Sequence, residues 1–171
     1  ETLDFKREQY PIEKASVEEK GEFVKDVIAF ANAWKTSDAY ILVGVEEVPG
    51  SRANVLGVAH HIDDADLQQL VNSKTNSPVR FTYIPVTIDG KAVGAIRIER
   101  DQQRPVCLKK DFGKLKKEAV YIRRSSSTDE AGAVEIARMG AASVGTTASA
   151  PVLEIGFGFP YDRKQYGTMI E

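Results

Sequence analysis

The sequence predicts an α+β fold: a mixed or antiparallel sheet flanked by two to three helices, with a short C-terminal extension. Segments typical of strands precede, separate and follow the predicted helices, without the strict alternation of a doubly wound sheet. An Asp89-Gly90 pair between two apolar β-forming segments predicts a hairpin. The chain has 171 residues, of which 42% are apolar and 28% charged. It is therefore long enough for one domain with a buried core.

The first predicted elements are a strand and a capped helix. Residues 2–6 alternate between apolar and polar side chains, which indicates a half-exposed strand. Ser16 and Glu19 have the spacing of a capping box, so we expect a helix from there to about Ala33. Apolar residues at three- and four-residue spacing predict one core-facing stripe on this helix, formed by Phe23, Val24, Val27, Ile28, Ala31 and Trp34.

The middle of the chain predicts a central strand and a second helix. Residues 39–45 (AYILVGV) are continuously apolar, as in a strand that is buried on both faces. Asp63 or Asp64 can cap a short helix. The hairpin strands are expected at 81–88 and 92–98, because Asp-Gly is favoured in type I′ turns.

The last part of the chain predicts two more strands, at 106–109 and 119–123, joined by a lysine-rich loop. Ser127 to Glu130 has the pattern of a second capping box, with a helix to about Met139. We expect one domain over residues 1–142. Small residues suggest a linker at 143–151, and 152–171 form the extension, which includes a possible strand.

Charge is unevenly distributed along the chain. The formal net charge is −2, which argues against a generally basic nucleic-acid binder. Residues 104–124 carry a net charge of +6, however, which leaves −8 for the rest. Such a segment suits sequence-independent contact with phosphates, although a solvated loop would have the same pattern. The candidate nucleic-acid-binding residues are Lys109, Lys110, Lys114, Lys116, Lys117, Arg123, Arg124 and Ser125.

Two groups of polar residues are candidates for catalysis. Asp4 and Lys6 point to the same side of a strand, where a carboxylate could hold a divalent metal and an ammonium could lie near a phosphate. Glu46 and Glu47 follow the predicted central strand, and we expect the Asp4 strand to pair beside it. The alternative interpretation of Asp4 and Lys6 is an exposed ion pair. The alternative for Glu46 and Glu47 is the ordinary exit of a strand into solvent.

Other features limit the function classes. Cys107 is the only cysteine, so no internal disulfide can form, and a reducing, cytoplasmic location is expected. No apolar segment approaches the roughly 18 residues of a membrane span. The sequence has no GxxxxGK[ST] loop, no GxGxxG, no HExxH and no GxSxG, which weighs against ATP hydrolysis.

Several segments, in order, resemble the Schlafen AlbA-like domain family. Residues 1–6 (ETLDFK) resemble its opening E-T-L-E-F-K, and 25–32 (KDVIAFAN) resemble its helix ending in A-F-A-N. Residues 41–47 (ILVGVEE) and 55–58 (VLGV) are similar to two of its strands, and 120–131 (VYIRRSSSTDEA) to its closing segment. Two departures are visible: the usual Gly-Gly pair is replaced within 33–39, and a serine, Ser125, stands where glycine is usual.

This resemblance implies an α+β fold and a function directed at nucleic acid. Some family members are described as DNA- or RNA-binding, and vertebrate Schlafen proteins include metal-dependent RNA endonucleases with three carboxylates. Asp4 matches one acid position, and Glu46 or Glu47 is a weaker match for another. These three would be the ligands of Mg²⁺ or Mn²⁺ if the protein is a nuclease, and the remaining acid is expected upstream of Glu1.

We therefore predict a nucleic-acid-binding domain, as the sensing or recruiting part of a larger regulatory or defence protein. Its expected partner is DNA or RNA, contacted through phosphates, and homodimer formation is left open. The first alternative is a metal-dependent endoribonuclease that uses Asp4, Lys6 and Glu46 or Glu47. The second is a nucleotide-binding or protein-interaction module, as an older ATPase-like label of the family suggests.

Overall fold

The computed structural model describes residues 2–147 and confirms the α+β class, with three helices and a mixed sheet. None of the helices in this range combines the length and apolar character that crossing a bilayer requires. The elements in chain order are β1 (Leu3–Lys6), α1 (Val17–Asn32), β2 (Ala39–Val43), β3 (Val45–Glu46), β4 (Asn54–Val55), α2 (Asp64–Lys74), β5 (Phe81–Ile88), β6 (Lys91–Ile98), β7 (Tyr121–Arg124), β8 (Ser127–Glu130) and α3 (Ala133–Thr147).

The main sheet has four strands in the order β1-β2-β6-β5. As predicted, β1 lies beside β2, and the two strands are parallel, with Asp4 opposite Ile41. The other two pairings are antiparallel. Asp89 and Gly90 join β5 to β6 with φ angles of 51° and 73°, which confirms the expected hairpin turn, because a type I′ turn requires positive φ at both positions.

Strand β2 is buried on one face and not, as expected, on both. Ala39, Ile41 and Val43 are fully buried, whereas Tyr40 is 38% exposed. The predicted strand is also interrupted at Gly44, which has a φ of +89°. A Cβ at Gly44 would lie 2.8 Å from the carbonyl carbon of Gly57, so the close approach of these two backbones requires glycine.

Helix α1 is the centre of the molecule. Its N-terminus has the predicted capping box, in which Ser16 and Glu19 each accept a hydrogen bond from the other's backbone N–H. The predicted single stripe was too narrow, because the main sheet packs on one side of the helix and β7 on another. From Phe23 to the end of the helix, every residue except Lys25 is buried.

Trp34 does not belong to this core. The helix ends at Asn32, and the cap residue Ala33 has an extended conformation (φ −60°, ψ 145°). Trp34 therefore leaves the helical register, and its side chain is 46% exposed. In contrast, the predicted cap of the second helix is confirmed, since Asp63 accepts a hydrogen bond of 2.7 Å from the Ala65 N–H.

The chain after residue 105 differs most from the prediction. Residues 106–109 do not form a strand: Leu108 makes only isolated bridges to Thr75 and Lys117. The expected capping box at Ser127 is wrong, because residues 127–130 form strand β8, which pairs with β7. The third helix begins instead at Ala133 and continues to Thr147.

Helix α3 packs on strand β7 through a small second core of Val120, Ile122 and Met139. It runs through residues 143–147, which the sequence pattern had placed in the linker. The remainder of that linker and the expected extension, 152–171, lie outside the described residues.

Candidate nucleic-acid interface

The lysine-rich loop, residues 109–118, is anchored to the domain at both of its halves. Asp111 accepts a hydrogen bond of 2.8 Å from the Lys117 N–H, which lowers the pKa of its carboxyl. Phe112 and Leu115 exchange two backbone hydrogen bonds of 3.0 Å. Gly113 (φ +58°) packs so closely on α1 that a Cβ would lie 3.0 Å from the Val17 carbonyl oxygen. The loop is thus held against the N-terminal end of α1.

All five lysines of this loop are exposed, but they differ in their partners. Lys116 lies 3.6 Å from Asp111, and Lys117 lies 3.1 Å from Glu118. Among the described residues, Lys109, Lys110 and Lys114 have no carboxylate partner. These three ammonium groups are therefore available to a phosphate, and they lie on a backbone that is already ordered.

The other three predicted contacts are placed differently. Arg123 is only 8% exposed; its guanidinium lies 2.6 Å from Asp4 and over the ring of Phe30. Arg124 is at the surface, but it pairs with Glu135 at 2.6 Å. Ser125 is exposed in the turn between β7 and β8. Arg123 thus faces the interior, and since Ser127 lies in a strand, no helix N-terminus is present beside Ser125 to attract a phosphate.

Asp4 and Lys6 do share one side of β1, but it is the side that faces α1. The Lys6 ammonium lies 2.8 Å from Asp26 of α1 and 3.3 Å from Asp4. Tyr10 donates a hydrogen bond of 2.7 Å to Asp26. Together with Arg123, these residues form a half-buried polar cluster in which each carboxylate is paired with a cation.

The pKa shifts in this cluster agree with its geometry. Burial by itself would lower the pKa of Lys6, but the attraction and hydrogen bonds of Asp26, and then of Asp4, raise it above its usual value. Burial, followed by the negative charge of Asp26, raises the pKa of Tyr10 well above 10.0. The cluster therefore keeps Lys6 charged and Tyr10 neutral across the physiological range.

Glu46 and Glu47 do not join this cluster. Glu46, on β3, accepts a hydrogen bond of 2.7 Å from Arg7, and Glu47 is exposed. Among residues 2–147 there is no group of three His, Cys, Asp or Glu side chains arranged to hold a metal ion. Because cations already occupy Asp4 and Glu46, the donor set does not fit Mg²⁺ or Mn²⁺, and the catalytic role of Asp4, Lys6, Glu46 and Glu47 stays a prediction.

Sequence reasoning missed the partners of the predicted residues. Tyr10 and Asp26 belong to no recognisable motif, and Asp26 lies on a helix that the sequence marks mainly by its apolar residues. The only sequence signal for Asn32 is its place at the end of the A-F-A-N segment. It is fully buried, and its amide bonds to Val106 and Tyr121, so it joins α1 to both segments.

A family model and several solved structures match the chain. The family model described as "Schlafen, AlbA_2" matches residues 1–132. The DIP2311 protein of Corynebacterium diphtheriae has a similar structure, with a TM-score of 0.55 and 18% sequence identity. That match covers 83% of this chain but only 24% of the DIP2311 chain, so it shows the fold alone.

A second solved structure is the N-terminal domain of a RecG-related protein from Nitrosomonas europaea, whose name relates it to ATP-dependent DNA helicases. It has a TM-score of 0.45 and 22% identity, and the match covers 75% of this chain and 80% of that domain. No curated protein matched the chain.

Proposed function

The chain belongs to the Schlafen AlbA_2 family, and from this premise we propose that it is a nucleic-acid-binding domain that contacts phosphates through its lysine-rich loop. It would be the sensing or recruiting part of a larger regulatory or defence protein. The observation that carries the proposal is the set of three exposed lysines, Lys109, Lys110 and Lys114, which lack carboxylate partners on an anchored loop.

The physical chemistry of this loop favours phosphates over bases. Ammonium groups are strongly hydrated point charges that attract the nucleic-acid backbone without reading its sequence. The loop carries a net charge of +3 while the whole chain carries −2, so a polyanion is attracted to this end of the molecule more than to the rest. Phe112, the aromatic residue of the loop, packs against the core instead of facing solvent as a stacking surface.

A salt titration of a double variant tests the proposal. Replacing Lys110 and Lys114 by glutamine should weaken binding of unrelated sequences to about the same extent. Each lost phosphate contact should flatten the plot of log K against log salt by about 0.9 for duplex DNA or about 0.7 for a single strand. Binding is measured by fluorescence anisotropy of labelled oligonucleotides at several salt concentrations.

A matched control removes two positive charges elsewhere. Lys91 is the first residue of β6, and Arg52 pairs with Asp89 of the β5–β6 turn; both are exposed, and replacing both by glutamine changes the net charge by the same amount. This control should leave the salt slope nearly unchanged. Equal slopes for both double variants would show that only net charge matters and would contradict a role for the loop.

A metal-dependent nuclease with Mg²⁺ or Mn²⁺ is a second function suggested by the family, but the cation-paired carboxylates described above do not support it. A nucleotide-binding or protein-interaction module remains an alternative. Binding of unrelated oligonucleotides with a steep salt dependence would favour the nucleic-acid function over that module, because a module built for nucleotides or proteins has no need of many phosphate contacts.

A further inference from the structure

The arginines of this chain are not equally neutralised. Nine arginines lie among the described residues, and seven of them pair with an aspartate or glutamate. The two without such a partner are Arg104 and Arg138. Both lie against one side chain, the exposed Trp34, with their guanidinium carbons 4.4 and 5.5 Å from the ring centroid. Two uncompensated cations therefore meet at one surface position.

Arg104 is held in place from several directions. Its side chain donates a hydrogen bond of 3.1 Å to the Ala33 carbonyl and stacks on Trp34. Its backbone N–H and C=O both bond to the Ser143 hydroxyl of α3, at 3.0 and 2.7 Å. Burial lowers the pKa of Arg104. It is thus a fixed, half-buried cation, and an anion beside it would offset the cost of its partial desolvation.

Lys35 adds a third positive charge to the same place. Its ammonium donates a hydrogen bond of 2.9 Å to the Phe30 carbonyl at the end of α1. Burial, and next the positive charge of Arg104, lowers the pKa of Lys35 to about 8. The nearest acids are engaged elsewhere, since Asp38 pairs with Arg97 and Asp101 with Arg100. The repulsion between Lys35 and Arg104 is what a bound anion would relieve.

A cleft opens beside Arg104. It has a volume of about 490 Å³, which is within the usual range for ligand sites. Its polar lining comes from Arg80, Arg100, Asp101, Gln102, Gln103 and Ser143. Guanidinium groups offer several N–H donors in a plane, a geometry that matches the oxygens of a phosphate.

We propose that the surface at Trp34, beside the cleft that Arg104 lines, binds a phosphate group in the backbone of a nucleic-acid strand, with Arg104 and Arg138 as its main contacts. Three neighbouring positive charges suit a polyanion better than a single carboxylate. The site rests on the proposed function and adds a second contact to it. Trp34 follows the C-terminal end of α1, whereas the lysine-rich loop lies at its N-terminal end, about 24 Å away for a 16-residue helix.

The chain provides its own reporter for this site, because Trp34 is its only tryptophan. We expect a 20-nucleotide single strand to change the Trp34 emission in a saturable, salt-dependent way. Arg138→Gln and Arg104→Gln should each raise the Kd from this signal by about tenfold, since each removes a charge-assisted contact. Arg52→Gln, at an exposed arginine between β3 and β4, is the matched control and should leave the Kd unchanged.

Two further measurements separate the outcomes. Inorganic phosphate, titrated alone, should give this change only at far higher concentration. An equal response per phosphate would assign the site at Trp34 to free phosphate compounds and contradict the binding of a nucleic-acid strand. Anisotropy of the labelled strand, measured in parallel, reports binding anywhere. Binding by anisotropy with unchanged Trp34 emission and normal affinity of Arg138→Gln would contradict the site at Trp34 but leave the proposed function intact. No binding by either readout would overturn both.

Discussion

At the scale of single residues, the buried amide of Asn32 explains why a polar side chain ends an otherwise apolar helix. Its Nδ2 donates 2.8 Å hydrogen bonds to the carbonyls of Val106 and Tyr121, and its Oδ1 accepts one of 2.8 Å from the Val106 N–H. An amide can donate two hydrogen bonds and accept others at once, which a hydroxyl or carboxylate cannot. Asn32 thus replaces the strand pairing that Val106 lacks.

The Asn32→Ala substitution should therefore destabilise the protein strongly. It leaves three buried backbone groups without a partner, and we expect the free energy of unfolding to fall by roughly 3–5 kcal/mol. The midpoint of urea unfolding, with its slope compared between variants, measures this loss. Asn54→Ala is the control, because Asn54 is exposed and makes one hydrogen bond of 3.4 Å to Glu46. A loss no larger than that of the control would contradict the role of Asn32.

At the scale of elements, the β7–β8 hairpin takes the place of a predicted helix start. The pattern of Ser127 to Glu130 fits a capping box, but Ser127 lies opposite Arg124 and Glu130 opposite Tyr121 in an antiparallel pair. Tyr121 and Ile122 are buried, so pairing this strand completes the covering of α1. Tertiary burial of β7 outweighs the local preference for a capped helix.

The turn of this hairpin contains a strained residue. Ser125 has a φ of +49°, a conformation that disfavours residues with a Cβ. We expect Ser125→Gly to raise the free energy of unfolding by roughly 0.5–1 kcal/mol and thus to raise the melting temperature. Ser126→Gly is the matched control: Ser126 has no positive φ, so glycine there adds only chain entropy to the unfolded state and should be neutral or destabilising. An equal rise for both variants would contradict this account.

At the scale of the whole molecule, the structure separates the paired acids beneath α1 from the exposed lysines of the loop. The acids Asp4 and Asp26 are paired with Arg123 and Lys6 between β1 and α1, whereas the lysine-rich loop lies at the helix N-terminus. A phosphodiester cut assisted by a metal needs several carboxylates that converge on one ion. Among residues 2–147 no group of three His, Cys, Asp or Glu side chains converges in this way.

We expect this chain to cleave RNA poorly. Purified protein incubated with structured RNA and Mn²⁺ should give no more cleavage than a matched reaction without protein. Glu46→Gln is the informative variant, because Glu46 is at the surface and its loss should not disturb the core. The expectation would be wrong if the unaltered chain cleaved RNA and both Glu46→Gln and Asp4→Asn abolished the cleavage. That result would support the metal-dependent nuclease.

Sequence alone determined the features that depend on neighbours along the chain. The capping box at Ser16, the cap at Asp63 and the Asp89-Gly90 turn each involve residues within four positions, so local hydrogen bonds and φ preferences specify them. The order of these elements, supported by the resemblance to the family, predicted a mixed or antiparallel sheet, and the structure decided for the mixed one through the parallel pairing of β1 with β2. The lysine-rich loop was recognisable from its charge.

Only the tertiary structure decided which faces were covered. Alternation placed Asp4 and Lys6 on one side of a strand, but it could not show that α1 covers that side. Asp4 and Arg123 are 119 residues apart in the chain and yet 2.6 Å apart in space. Trp34 had the spacing of a core residue, but α1 ends two residues earlier and turns it outward. Burial depends on what packs against a face, and local periodicity carries no information about that partner.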